Sequence, residues 1–130
     1  MMNLSEQLDR EFSLYIRLRD TMPNGMFRCI SCGNIKPFSE ADCGHFFSRK
    51  HGSTRWDEDN CHAQCIKCNR FLDGNLVNYK SNLIVKIGQE RFYELEYRHH
   101  QARQWRKSEI KELLDFYKGK NKELKKEKGL

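Results

Sequence analysis

Residues 29 to 69 read CISCGNIKPFSEADCGHFFSRKHGSTRWDEDNCHAQCIKCN, and the spacing inside this stretch decides the fold. Cys29 and Cys32 form one C-x-x-C and Cys65 and Cys68 a second, each pair turning two thiolates toward one point. Two such turns close a tetrahedron around zinc at about 2.3 Å per sulfur, and a closed four-thiolate shell leaves no position for water or substrate. The expected role of this zinc is structural. Cys43 and Cys61 are left over, and because free cysteine is among the most buried residue types, core packing is the expectation for both. A dithiol redox enzyme is disfavoured, since neither pair follows a strand within a βαβ pattern.

Between the pairs the chain is rich in turn formers. Two short candidate strands stand out, one ending near Gly44-His45-Phe46-Phe47 and one near Asn60-Cys61-His62-Ala63-Gln64, with a polar loop from Ser48 to Asp59 between them. Upstream, Leu4, Leu8, Phe12, Tyr15, Ile16 and Leu18 recur at helical spacing from Asn3 to about Asp20, with Asn3 and Glu6 placed as a capping box. Pro23-Asn24-Gly25 stops that helix, and Met26 to Ile30 leads strand-like into the first cysteine pair. Downstream, the second pair opens a helical stretch that breaks at Asp73-Gly74 and resumes, with Asn75 as N-cap, from Leu76 to Ile87. A helix over Gln89 to Tyr97 follows, and Ser108 caps a last one bearing Ile110, Leu113, Leu114, Tyr117 and Leu124, with a frayed end. The fold class expected is α+β and mostly helical. A single domain covers 1–130: an N-terminal helix in 1–22, the cysteine-framed core in 26–75, and a helical, basic part in 76–130.

Composition narrows the function classes. The chain is 38% hydrophobic and 32% charged, and it holds no apolar run approaching the roughly 18 residues of a membrane span. Its first residues carry neither a basic n-region nor an apolar h-region, so a cytoplasmic location is expected, where six cysteines indicate metal rather than disulfides. The formal charge of +6 is one-sided: residues 98–130 carry 11 basic and 5 acidic side chains, against 13 of each in residues 1–97. Such a surface attracts polyanions.

The order C-x-x-C, Asp and His at the end of a strand, Asn, then C-x-x-C-Asn resembles the HNH or ββα-metal nucleases that carry a zinc knuckle, of the endonuclease VII type. More closely, Cys29-Ile30-Ser31-Cys32-Gly33, Asp42 to His45, Gln64-Cys65, Cys68-Asn69, Gly74-Asn75-Leu76-Val77 and Ile87-Gly88-Gln89-Glu90 are similar to the phage lambda NinG family, the Rap recombination endonucleases, over roughly Leu4 to Lys118. The resemblance implies a small ββα-metal (HNH, or His-Me finger) core flanked by helices. It implies a divalent-metal-dependent, structure-selective endonuclease that hydrolyses phosphodiester bonds in branched recombination intermediates (Holliday junctions, displacement loops, Y-shaped forks) for a phage or prophage in its bacterial host. His45 takes the place of the general base, suited by an imidazole that is neutral near pH 7. Asn60 takes the place of the residue bracing the strand-loop-strand geometry. Asp42 and Asn69 correspond to ligands of a catalytic Mg²⁺ or Mn²⁺, oxygen donors being suited to such ions. Many HNH proteins place the acid immediately before the histidine, whereas Asp42 lies three positions back, so a capping or outer role for Asp42 stands beside direct ligation. His62 is a possible substitute ligand or proton relay, and His51 a possible phosphate contact.

Arg49, Lys50 and Arg55 in the loop after His45, with Lys67 and Arg70 near the second cysteine pair, would ring such a site with positive charge. Arg98, Arg103, Arg106 and Lys107, interleaved with His99, His100 and Trp105, make a second basic segment able to contact backbone and stack on an unpaired base, although Trp105 reads slightly better as a core anchor for the last helix. No base-reading module is recognisable, so DNA shape rather than sequence is the expected target. Resolving a fourfold junction on two strands takes two active sites, which favours a homodimer joined through the amphipathic first and last helices. No membrane and no small-molecule substrate are expected. Two other readings stand: a catalytically silent zinc-stabilised module that binds branched or single-stranded nucleic acid, and a zinc-stabilised protein-interaction domain without nucleic-acid affinity.

Overall fold

The computed structural model describes all 130 residues. Helix α1 (Leu4–Arg19) begins where the Asn3 side-chain oxygen accepts the Glu6 N–H at 2.9 Å, satisfying one of the orphan donors of its first turn. Leu8, Phe12 and Ile16, four residues apart, form its apolar stripe. The stripe packs on Ile110, Leu114 and Tyr117 of the final helix α5 (Lys107–Lys128), and with Trp56 and Cys61 these residues make the largest core cluster. The apolar faces of both terminal helices are therefore buried against each other within one chain, not left open as the dimer surface expected above.

Two small antiparallel sheets lie between these helices. Strands β1 (Met26–Arg28) and β2 (Ile35–Pro37) pair across the first cysteine turn, which Gly33 closes with φ +77. Strands β3 (Ala41–His45) and β4 (Cys61–Cys65) pair from Ala41↔Cys65 to His45↔Cys61, and the short helix α2 (Gly52–Arg55) lies in the loop joining them. The two-residue strand period puts Cys43 and His45 on one face with Cys61 and Ala63, and Asp42 and Gly44 on the other with His62 and Gln64. A wide turn, Lys67–Phe71, follows β4. Helices α3 (Leu76–Ile87) and α4 (Gln89–His99) then close a separate cluster of Tyr79, Leu83, Phe92 and Leu95 around Ile30. No helix is long and apolar enough to cross a membrane.

Several boundaries differ from the sequence expectation for local reasons. β2, which has three residues and ends in proline, carries no alternation long enough to read. β3 stops at His45, not Phe47, because the Phe47 backbone is taken by the Asn60 side chain instead of a strand partner. Asn75 is not a side-chain cap: its backbone is left-handed (φ +43), and its amide donates to Cys68 Sγ at 3.5 Å. α5 starts one residue before Ser108, with Glu109 accepting the Arg106 N–H at 2.9 Å. α5 continues to Lys128, whose side chain reaches back to α1. Lys128 donates to the carbonyls of Leu18, Arg19 and Thr21 at 2.7, 3.1 and 2.6 Å, placing a cation at the carbonyl-rich end of α1.

Candidate active site and metal centre

The hairpin β1–β2 presents Cys29 and Cys32, the end of β4 presents Cys65, and the turn after it presents Cys68. All four Sγ atoms lie within 4.8 Å of one another. Cys32 and Cys65 Sγ are 3.8 Å apart, close to the roughly 3.8 Å edge of a tetrahedron with 2.3 Å zinc–sulfur bonds. Backbone N–H groups of Cys65 and Cys68 donate to Cys29 and Cys65 Sγ at 3.3 and 3.4 Å, and Asn75 adds its bond to Cys68, so the sulfurs carry the outer donors that thiolate ligands use. Burial opposes a thiolate at Cys29, but the surrounding backbone donors outweigh it and hold that thiol below its usual value. Four converging soft donors fit zinc.

Beside the knuckle an open cleft of about 480 Å³ runs between α1, the end of β3 and the Asn69–Leu76 segment, with His45, Ser48, Arg49, Asn69, Asp73 and Asp9 on its walls. His45 Nε2 lies 2.9 Å from the Arg55 carbonyl. A carbonyl only accepts, so Nε2 carries the proton and Nδ1 keeps its lone pair. Burial holds His45 below the usual imidazole value; the Arg55 carbonyl opposes this and the Arg49 charge reinforces it, leaving the ring neutral near pH 7.

What holds this geometry is a short relay of polar contacts. Asp9 accepts from Arg55 Nε at 3.0 Å and Trp56 Nε1 at 2.9 Å, fixing the segment whose carbonyl holds His45. Asn60, 0% exposed, donates through Nδ2 to the Phe47 and Thr54 carbonyls, both at 3.0 Å, and accepts the Phe47 N–H at 2.8 Å. The loop after His45 is thereby tied to the start of β4. Sequence reasoning missed Asp9, which reads as an ordinary charge on the polar side of an amphipathic helix.

Asp42 does not share the cleft wall with His45. It lies on the opposite strand face, where Arg70 grips both carboxylate oxygens at 2.9 Å and Asn69 Nδ2 donates at 3.0 Å. Asn69, which lines the cleft, is the link between the two faces. Carboxylate and amide oxygens of this kind fit a hard cation, and in this structure the carboxylate is occupied by Arg70, whose side chain is 60% exposed. Asp73 was also missed. Its carboxylate lines the cleft without an ion pair, in a left-handed turn (φ +47) that the sequence signals only as a helix break.

His62 is no substitute for His45. It is buried on the other strand face, with Arg19 Nη2 3.1 Å from Nδ1 and Nε2 3.0 Å from the Asp59 carbonyl. Burial, then the Lys86 and Arg19 charges, push its pKa down to about 3. Many of the basic residues are engaged within the chain: Arg55 by Asp9, Arg70 by Asp42, Arg98 by Asp57 and Asp59, and Arg103 by Glu109. Lys50, Lys67, Arg106 and Lys107 are exposed and make no ion pair, and Arg49 is 63% exposed at the cleft, 3.7 Å from Asp9. Trp105 anchors α2 by donating to the Gly52 carbonyl at 2.9 Å and packing edge-on against Trp56, while His99 stacks on Phe47 and meets His51 edge-on.

The family model described as "Bacteriophage Lambda NinG protein" matches residues 2–127. The chain is 36% identical over 122 residues to "Protein ninG" of Escherichia phage 933W, 36% to that of Escherichia phage lambda and 35% to that of Salmonella phage P22. In each case 92% of this chain is matched, and it spans only 56–57% of the relative's own length. No solved structure matches significantly.

Proposed function

This chain belongs to the bacteriophage lambda NinG family, and on that premise we propose that it is a divalent-metal-dependent, structure-selective DNA endonuclease with an HNH-type core, acting on branched recombination intermediates of a phage or prophage. The observation that carries the reading is His45, a neutral imidazole whose Nε2 proton is held by the Arg55 carbonyl while Nδ1 remains a free base beside an open, polar cleft.

From that position Nδ1 accepts a proton from water as the water oxygen bonds to phosphorus and the opposite P–O bond breaks. The Arg55 carbonyl keeps the ring in this tautomer, and Asp9, by anchoring Arg55 and Trp56, keeps the carbonyl in place. A divalent cation held by Asp42 and Asn69 would neutralise charge on the phosphate and the leaving oxygen. The zinc knuckle fixes Cys68 and so the adjacent Asn69 at the cleft wall. Arg49, on the cleft wall, and the exposed Lys50 next to it in sequence are suited to phosphates on either side of the scissile bond, and Lys67 is an exposed cation beside the knuckle. A homodimer remains the arrangement that two-strand resolution asks for, through a surface other than the mutually buried stripes of α1 and α5.

Labelled four-way, Y-shaped and linear duplexes incubated with the protein in Mg²⁺ or Mn²⁺ test this reading. The expected result is nicking of the branched substrates, absent without the divalent ion. Salt-sensitive binding of the branched forms with no cutting under any ion would replace the nuclease by a catalytically silent, zinc-stabilised binding module, a reading favoured by Arg70 lying on Asp42.

A further inference from the structure

We infer that Cys43, His45 and Cys61 form a second metal site, distinct from the four-cysteine knuckle, that takes a thiophilic divalent cation such as zinc. His45 and Cys61 are direct partners across β3 and β4, and Cys43 lies two residues from His45 on the same face. Their ligand atoms all lie within 4.8 Å of one another. A tetrahedral ion with bonds of about 2.0–2.3 Å needs ligand separations near 3.5–3.8 Å, so closure takes side-chain shifts of about 1 Å or less.

The chemistry of the three donors agrees. Two sulfurs and one imidazole make a borderline-soft set that selects zinc-like ions over Mg²⁺, which prefers the oxygens of Asp42 and Asn69. His45 already has the outer contact that metal-bound histidines need: Nε2 donates to the Arg55 carbonyl, leaving Nδ1 as the donor atom. Cys61 is buried, whereas Cys43 and His45 open on the cleft, so the ion has an entry path and a fourth, exchangeable position. Nothing in the hydrolytic mechanism uses either cysteine. Three protein ligands with one open position is a different class of site from the closed four-thiolate knuckle.

Occupancy takes the lone pair of His45. On the nuclease reading, which this consequence alone rests on, zinc at the second site antagonises Mg²⁺-dependent cleavage. Cobalt is the spectroscopic probe for the site itself. Titrated into the metal-free full chain under a phosphine reductant, Co²⁺ should give thiolate-to-cobalt charge-transfer absorbance that saturates at two equivalents per chain. The half-buried Cys43→Ser and, separately, His45→Gln should each saturate at one while keeping the knuckle's spectrum, which also reports that the variant is folded. Saturation of the wild type at one equivalent, or of both variants at two, overturns the inference. In cleavage assays with Mg²⁺, added zinc should suppress the wild type at concentrations at least about tenfold below those that affect Cys43→Ser; equal sensitivity counts against the site. If neither protein cuts DNA, the nuclease reading falls and the cobalt stoichiometry still decides the site.

Discussion

Replacing Asn60 by alanine is the perturbation whose size follows most directly from the structure. The side chain is 0% exposed and makes three hydrogen bonds, at 2.8, 3.0 and 3.0 Å, to the backbone of Phe47 and Thr54. A net protein hydrogen bond contributes about 1 kcal/mol, and a buried partner left without one costs about 1–3 kcal/mol. The Phe47 N–H and carbonyl both lose a partner, while the Thr54 carbonyl keeps the weaker Asp57 N–H at 3.4 Å. Because Phe47 is only half-buried the lower end of that range applies, and the sum is a loss of roughly 3–4 kcal/mol. Urea denaturation followed by far-UV circular dichroism, at fixed zinc, reads it out. Asn60→Asp sharpens the test because the shape is unchanged while a donor becomes a carboxylate facing two carbonyls. Its folded-state pKa is then raised, so the stability of this variant relative to wild type is greatest below about pH 4 and is lost as pH rises. An alanine variant within about 0.5 kcal/mol of wild type, or an aspartate variant whose deficit ignores pH, would refute the clamp.

Stripping the four-thiolate zinc with a strong chelator should unfold the knuckle, seen as lost ellipticity, whereas withdrawing Mg²⁺ alone should leave the spectrum unchanged; a metal-free protein with the native spectrum contradicts the zinc assignment. His62 is held near pKa 3 against its usual 6.5, so the unfolded chain takes up its proton first, and stability falls as pH drops from about 6.5 toward 3 by up to about 1.4 kcal/mol per pH unit. Asp20, held down to about 2 despite burial by its bond and charge contact with Arg19, adds its own loss only below the ordinary carboxylate range. His62→Gln should flatten the upper part of that slope in urea melts, and an unchanged slope counts against it. At Gly44→Ala the new Cβ would collide with Gln64 Oε1, displacing a side chain bonded to Ser31 Oγ and the Gly74 carbonyl; the expected cost of about 1–3 kcal/mol shows as a lowered Tm, and an unchanged Tm speaks against the close packing.

The knuckle and the helices were legible because their signals are short-range and periodic. C-x-x-C spacing states its own geometry, and Leu8, Phe12 and Ile16 state a helix face. The position of His45 at the end of a strand and of Asn60 just before the next could also be read. Asp9 could not, because its partners Arg55 and Trp56 lie more than forty residues away and a helix-surface carboxylate carries no local mark of a distant contact. Asp42 lies three positions from His45 in sequence, and that proximity does not show the strand alternation that sends the two side chains to opposite faces. The excess positive charge of the last quarter does not tell where each side chain goes: Lys128 is drawn back onto α1 by three carbonyls.

The central claim is that His45 performs the chemistry, and single-turnover cleavage of a four-way junction by wild type and His45→Ala, with zinc content and junction affinity matched, tests it most directly. The expected result is a fall in rate of about 10²–10⁴-fold with binding unchanged. Equal cleavage rates from both proteins would contradict it and move the catalytic base elsewhere in the cleft.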